Sequence, residues 1–249
     1  SADELNIRFN SIYQDGPISL NPVTKMLYLT RTTNKVRKTK NIQLAIFQIP
    51  LDKFGKEMPK LLELNFDGYS SIHPTISADG KVLYFSSDRP GGYGGMDLYY
   101  VNIEDDKIAG EITNMGPDIN TKNDEVFPFI FSDKYLFYSS NKGSNQKFNI
   151  YLATNKIYNR WEKSILSEPF NSEYDDTSFS IDIKTKTGFI SSNRKGGKGD
   201  DDIYAFKFIP KIEGEEDSYN FFGTDTLVVG SNIILKNDRE KMKKNDPLT

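Results

Sequence analysis

The chain of 249 residues holds one histidine, His73, and no cysteine. Without thiols it has no disulfide, no cysteine nucleophile and no Cys/His zinc set of its own. A Ser-His-Asp relay would have to use His73, which stands directly before Pro74. As a general base it would need a nucleophile and an orienting acid close in space. The equivalent place in three related segments holds Gly16, Phe127 and Ser178, so the position reads as a variable structural slot. Acids recur more regularly: Asp15, then Asp124 with Glu125, then Asp175 with Asp176. Carboxylates gathered at one end of a fold hold Ca²⁺ or pair with a partner's basic groups. The competing reading is that they cap turns through nearby backbone amides. Their spacing matches no EF-hand loop.

Asp97, Asn149 and Asp202 open equivalent segments, and a polar side chain that recurs once per repeat reads as a loop fastener. Asp200 and Asp201 have no counterpart at Gly95-Met96, which leaves them freer for a local role. Two glycine-rich stretches, 89–95 and 194–199, resemble phosphate cradles in composition. Neither has the GxxxxGK[ST] order or opens a helix, as a phosphate site requires; sharp turning of the backbone explains the glycines. Arg89, Tyr93 and Arg194 within them are candidates for contact with a protein partner, since Arg and Tyr anchor interfaces. Arg37 and Lys38 are further candidates, in a basic run with Arg31, Lys35 and Lys40. Such a run reads as a solvated loop tip, or as a contact for an acidic protein, anionic headgroups or a cell-wall polymer. Trp161, the only tryptophan, is expected to pack on a sheet edge.

The charge balance narrows the partners. There are 32 basic and 35 acidic residues, a net charge of −3, with a pI near 5.4, and a nucleic-acid binder would show a basic excess. No apolar run approaches the 18 residues of a membrane-spanning helix. No cofactor is expected. Apolar residues make up 37% and aromatics 13% of the chain, a composition that suits many short strands, because aromatics favour the pleated surface.

Internal repetition organises these residues. GPISLNPVTKMLYLTR, HPTISADGKVLYFSSDRPGGYGGMDLYYV, FPFIFSDKYLFYSSNKGSNQKFNIYLA and SFSIDIKTKTGFISSNRKGGKGDDDIYAF share one layout. Ser-Ser pairs begin at Ser86, Ser139 and Ser191, steps of 53 and 52, with Thr30 in the same place 56 residues earlier. Asp97-Leu98-Tyr99, Asn149-Ile150-Tyr151 and Asp202-Ile203-Tyr204 follow in step, with Gln43-Leu44-Ala45 as the degraded first copy. The second repeat predicts a strand over Thr75–Ala78, a tight turn at Asp79-Gly80, a strand over Val82–Ser86 and another over Asp97–Asn102. More polar fourth strands are expected at Leu61–Asn65, Ile108–Thr113 and Ser164–Leu166. Four antiparallel strands in about 50 residues is the arithmetic of a β-propeller blade. The expected fold is therefore all-β, a propeller of four recognisable four-stranded blades over residues 1–210, or five with an upstream copy. The fourth repeat stops after its third strand, and Leu5–Phe9 is placed to supply the missing one. Residues 211–249 read as a linker and the start of an Ig- or cadherin-like β domain.

The strings HPTISADGKVLYFSSDRPGGYGGMDLYYV, GPDINTKNDEVFPFI and SSNRKGGKGDDDIYAF resemble the TolB/WD-like propeller of Bacteroidetes OmpA-family envelope proteins, a family that includes a type IX secretion component. The resemblance covers residues 4–208. It implies a periplasmic or outer-membrane-associated, non-enzymatic module whose partners are envelope proteins, among them secretion or gliding components. A glycan-binding propeller and, further off, a hydrolase are the alternatives.

Overall fold

Strands form where aromatic and branched side chains crowd a short run, because such residues fit a pleated surface packed on both sides. Leu83, Phe85, Leu136, Phe137 and Tyr138, from the second strands of two repeats, are almost wholly buried. The computed structural model describes residues 15–33, 43–66, 68–156, 160–182, 184–185 and 187–207. The strand expected at Leu5–Phe9, the basic residues Lys35, Arg37, Lys38 and Lys40, and the expected C-terminal extension lie outside the described residues.

Among the described residues fifteen strands follow one another: β1 (Asp15–Leu20), β2 (Met26–Thr32), β3 (Leu44–Pro50), β4 (Lys60–Leu61), β5 (Ser71–Ile76), β6 (Val82–Ser87), β7 (Asp97–Glu104), β8 (Lys107–Asn114), β9 (Glu125–Ser132), β10 (Tyr135–Ser140), β11 (Asn149–Asn155), β12 (Trp161–Ile165), β13 (Asp176–Asp182), β14 (Thr187–Ser192) and β15 (Asp202–Lys207). They make four sheets in chain order, β1-β2-β3-β4, β5-β6-β7-β8, β9 to β12, and β13-β14-β15. Each of the first three is a four-stranded meander, and the fourth repeat shows three strands among the described residues. The chain is thus all-β, with four β-propeller blades.

The fourth strands expected at Leu61–Asn65 and Ser164–Leu166 are found at Lys60–Leu61 and Trp161–Ile165, and two further details differ from the sequence expectation. The first strand of the second repeat begins at Ser71, four residues before the expected Thr75. His73-Pro74 reads as a strand breaker, but the strand passes through it with a bulge between Ile72 and Thr75. A bulge leaves a residue out of the ladder, so the missing proline N–H does no harm there. The second difference is a slip of two residues. Thr30 pairs with Ile46 and Arg31 with Ala45, while Ser86 pairs with Leu98 and Ser87 with Asp97. The first-repeat equivalent of Asp97-Leu98-Tyr99 is therefore Ala45-Ile46-Phe47, not Gln43-Leu44-Ala45.

The described residues divide into two compact units, one running to Phe137 and taking in Ala153–Lys163, the other formed by Tyr138–Leu152 and the described residues from Ser164 onward. In the first unit, Tyr28, Ile46, Leu62 and Leu64 of the first blade interlock with Leu83, Phe85, Tyr99 and Val101 of the second. Burying each such side chain contributes about 1.5–3 kcal/mol. Hydroxyls tie successive first strands together: Ser19 Oγ accepts from Ile76 N–H at 3.1 Å and Thr75 Oγ1 from Ile130 N–H at 3.4 Å. In the second unit the core is aromatic, with Phe206 edge-on to Phe170 at 4.9 Å and 5.4 Å from Phe179.

Candidate functional site

The polar residues that recur once per blade hold loops in place. Asp97 accepts from the N–H groups of Tyr93 and Gly94 at 2.5 and 3.1 Å and from the Asn114 side chain at 2.9 Å. Asp202 accepts likewise from Lys198 and Gly199 at 2.8 and 3.2 Å, and Asn149 donates to the Lys147 carbonyl at 3.1 Å. Gly92 and Gly197 sit five residues before the two aspartates, and a Cβ at either would collide with the carboxylate. Close approach, as much as turning, explains these glycines.

The acids considered for Ca²⁺ are engaged in the same way. Asp124 Oδ1 accepts from Met96 N–H at 2.8 Å, and Asp175 Oδ1 from Phe148 N–H at 2.9 Å. Glu125 accepts from the Thr121 N–H and hydroxyl at 2.8 and 2.7 Å, and Asp176 from those of Ser172 at 2.6 and 2.8 Å. Burial raises the Asp175 pKa, but the bonds from Phe148, Lys147 and Asn193 outweigh it and hold the carboxyl below its usual range. Among the described residues no three His, Cys, Asp or Glu side chains converge as a metal-holding group. Backbone position alone is described for Asp15, which pairs with Arg31 across β1 and β2.

His73 sits at the bulge with φ 55°, and the equivalent Phe127 and Ser178 share that left-handed conformation at 52° and 56°. Its ring stacks on Phe127 at 3.7 Å, its Nδ1 accepts from Phe127 N–H at 3.3 Å, and its own N–H donates to Thr30 Oγ1 at 2.8 Å. Burial pulls its pKa down to about 3. At neutral pH the imidazole is uncharged and Nδ1 is occupied as an acceptor.

Arg89 and Arg194 differ from the expectation of displayed cations. Arg194 crosses its blade: Nη1 and Nη2 donate to the carbonyls of Pro169 and Phe170 at 2.8 and 2.9 Å, Nη2 to Asp176 at 2.5 Å, and Nε to Ser192 Oγ at 3.0 Å. It also lies over the Tyr204 ring at 5.1 Å. Arg89 lies over the equivalent Tyr99 at 4.9 Å, and over Phe85 and Tyr69 at 5.0 and 5.1 Å. Lys142 repeats the relation on Tyr151 at 3.9 Å. The aromatic of the third strand thus carries a cation from the loop after the second.

One recurring residue escaped the sequence reading. Asn65, Asn120 and Asn171 each bind both the N–H and the carbonyl of the central third-strand residue, Ile46, Leu98 and Ile150. A signal existed in the apolar-Asn pairs Leu64-Asn65, Ile119-Asn120 and Phe170-Asn171, spaced 55 and 51.

One concavity of the surface is largely apolar. A cavity of about 390 Å³ beside the first blade is lined by Leu44, Phe47, Leu61, Phe66 and Tyr69 among others. On its rim Met58 is 71% exposed, Phe66 62% and Leu61 42%. The fourth strand there has only two residues, against eight in β8, so the end of β3 beyond it is uncovered by an outer strand. Tyr93 stands 51% exposed on its loop in the second blade. Trp161 opens β12, the outer strand of its sheet.

No family model matches the sequence, and no curated protein matches it. Among solved structures the chain is similar to TolB from Acinetobacter baumannii, with 15% identity over 80% of this chain and 42% of that one and a TM-score of 0.52. A puromycin-hydrolyzing peptidase of Mycobacterium tuberculosis aligns at 15% identity, over 78% of this chain and 28% of the other, with a TM-score of 0.46. Prolyl oligopeptidase B from Galerina marginata gives 14%, 78%, 26% and 0.46. The chain spans less than half the length of each. At these identities the likeness to TolB concerns the fold, a TolB-like β-propeller. No helix among the described residues is long and apolar enough to cross a membrane.

Proposed function

We propose that the chain is a non-catalytic protein-interaction module of the bacterial cell envelope, periplasmic or attached to the outer membrane, and a scaffold for type IX secretion or gliding machinery. The observation that carries the interaction role is the apolar groove beside the first blade, with Met58, Leu61 and Phe66 exposed on its rim. Exposed apolar side chains gathered around a concavity mark protein contact surfaces. Polar side chains that recur in the blades are turned inward to hold loops, and the one histidine is stacked and uncharged; both features suit a rigid presenter of surfaces. The envelope setting and the secretion role rest on the sequence resemblance, and the TolB-like fold is in keeping with that setting.

Affinity capture from a detergent-solubilised envelope extract, with crosslinking mass spectrometry on the retained proteins, tests this reading. Discrete crosslinks from Lys53, Lys56 or Lys60, which surround Met58 in the chain, to a secretion or motility protein are expected. Retention of no protein, together with saturable binding of purified cell-wall or surface glycan, replaces the scaffold with the glycan-binding alternative.

A further inference from the structure

The blades differ in how their cations are balanced. In the fourth blade Arg194 meets a wholly buried carboxylate, Asp176. Asp176 pairs across the ladder with Ser192. Ser71 pairs in the same way with Ser87, so Ser71 stands where Asp176 stands. The second blade therefore has the arginine without its acid. Arg89 Nη2 donates to Ser71 Oγ at 3.2 Å and Nε to Ser87 Oγ at 3.1 Å, both neutral hydroxyls. Its Nη1 donates to no acceptor among the described residues, whereas Nη1 of Arg194 is bonded to a carbonyl. The neighbouring carboxylate, Asp88, has one oxygen committed to Ser70 N–H at 2.6 Å. Three rings, Tyr69, Phe85 and Tyr99, hold the guanidinium in place, and Arg89 remains partly open to solvent.

A fixed, half-desolvated guanidinium with an unused pair of donors is pre-organised for a planar, bidentate acceptor. We propose that this edge of Arg89 is a carboxylate-binding site, filled by an Asp or Glu side chain of a protein partner, which would stand where the Pro169 carbonyl meets Nη1 of Arg194 and supply the negative charge that Asp176 supplies there through Nη2. The protein source of that carboxylate rests on the interaction role argued above. One ring connects the two surfaces: Tyr69 is under Arg89 and also lines the apolar groove. A partner segment carrying an acid beside an apolar side chain would engage both.

The test is a titration of the full, ¹⁵N-labelled chain with sodium acetate, read on the Arg89 Nε–H signal, against sodium chloride at equal ionic strength. A saturable shift with acetate alone is expected. Ser71→Asp neutralises the guanidinium at Nη2 and should weaken the acetate response at least tenfold while the fold is kept; Arg89→Lys, which retains the charge and loses the fork, should prevent acetate from shifting the neighbouring Ser71 and Ser87 amides. A response that follows chloride equally, or is undiminished in Ser71→Asp, overturns the site. An envelope protein retained equally by wild type and Ser71→Asp overturns the partner carboxylate and leaves the scaffold reading standing. An acetate response with no retained protein supports the site's chemistry and removes the scaffold reading.

Discussion

The side-chain amide of Asn120 binds both backbone groups of Leu98, accepting from its N–H at 2.8 Å and donating to its carbonyl at 2.9 Å. Both residues are buried, so the amide acts as a short substitute strand at the edge of β7. Removing it leaves the buried Leu98 N–H unpaired, while the Leu98 carbonyl keeps its bond from Met115 N–H at 3.0 Å. Asn120→Ala is expected to lower stability by about 1–3 kcal/mol, measured as a shift in the urea midpoint. Asn120→Asp keeps the acceptor, loses the donor and faces the Leu98 carbonyl with a negative charge, so it should restore little. Asn171→Ala, with the same pair of bonds to Ile150 at 2.7 and 2.9 Å, should match it. A neutral result at both positions contradicts the bridging role.

Arg194 and Arg89 occupy equivalent places with unequal consequences. Arg194→Ala strands the buried Asp176 carboxylate, and breaking a buried pair costs about 3–5 kcal/mol. Arg89→Ala removes two bonds to hydroxyls that keep other partners and the ring contacts, a loss of about 1–2 kcal/mol. Chemical denaturation of the two variants should separate them in that order. Equal losses would mean that the charge partner is unimportant and that ring stacking dominates in both blades.

The ordering of blades was legible in the chain because a 52–53-residue step repeats the strand-forming clusters and the Asp-Leu-Tyr triplets. Side-chain direction was not. Arg89 and Arg194 follow Ser-Ser pairs and precede glycines, a context that reads as an exposed loop, and groups distant in sequence turn them inward, Tyr99 and Tyr69 for the one and Tyr204, Asp176 and the Pro169 and Phe170 carbonyls for the other. The asparagine bridge was hidden because an isolated Asn in a polar stretch looks like any turn residue; its partners lie 22 and 21 residues upstream. The bulge at His73 was missed because proline within a strand argues against the strand unless the extra residue is known. The groove leaves no periodic trace, since it arises where β4 stops after two residues.

His73 gives the protein a pH dependence of definite sign. Its folded pKa, about 3, lies below the usual value for a free histidine, about 6.5. Between those values the unfolded chain holds a proton that the folded chain does not, so stability rises with pH and falls on acidification. The contribution is complete above pH 6.5 and is lost progressively toward pH 3. The residue keeps some solvent contact, so the loss between pH 6.5 and 5 should be about 1–2 kcal/mol. His73→Asn tolerates the positive φ and cannot titrate. Denaturation midpoints from pH 7 to 5 should fall less in the variant than in the parent, and parallel profiles would show that the ring is not held neutral by the fold.

The groove should be separable from stability. Phe66 and Met58 are mostly exposed, whereas Leu64, two residues from Phe66, is fully buried. Phe66→Ser and Met58→Ser remove apolar area that is already in water, so each should change stability by no more than about 0.5 kcal/mol. Partner retention from envelope extract should fall at least tenfold when both are combined, because an interface loses most from its exposed apolar anchors. Leu64→Ser is the contrasting control: it leaves a cavity and a hydroxyl among Tyr28, Ile46 and Leu62 and should cost about 3 kcal/mol or more. If the double surface variant retains partners as the parent does, binding lies elsewhere on the blades. If it melts early, Phe66 and Met58 are part of the packing, and the groove is a structural fissure in the first blade.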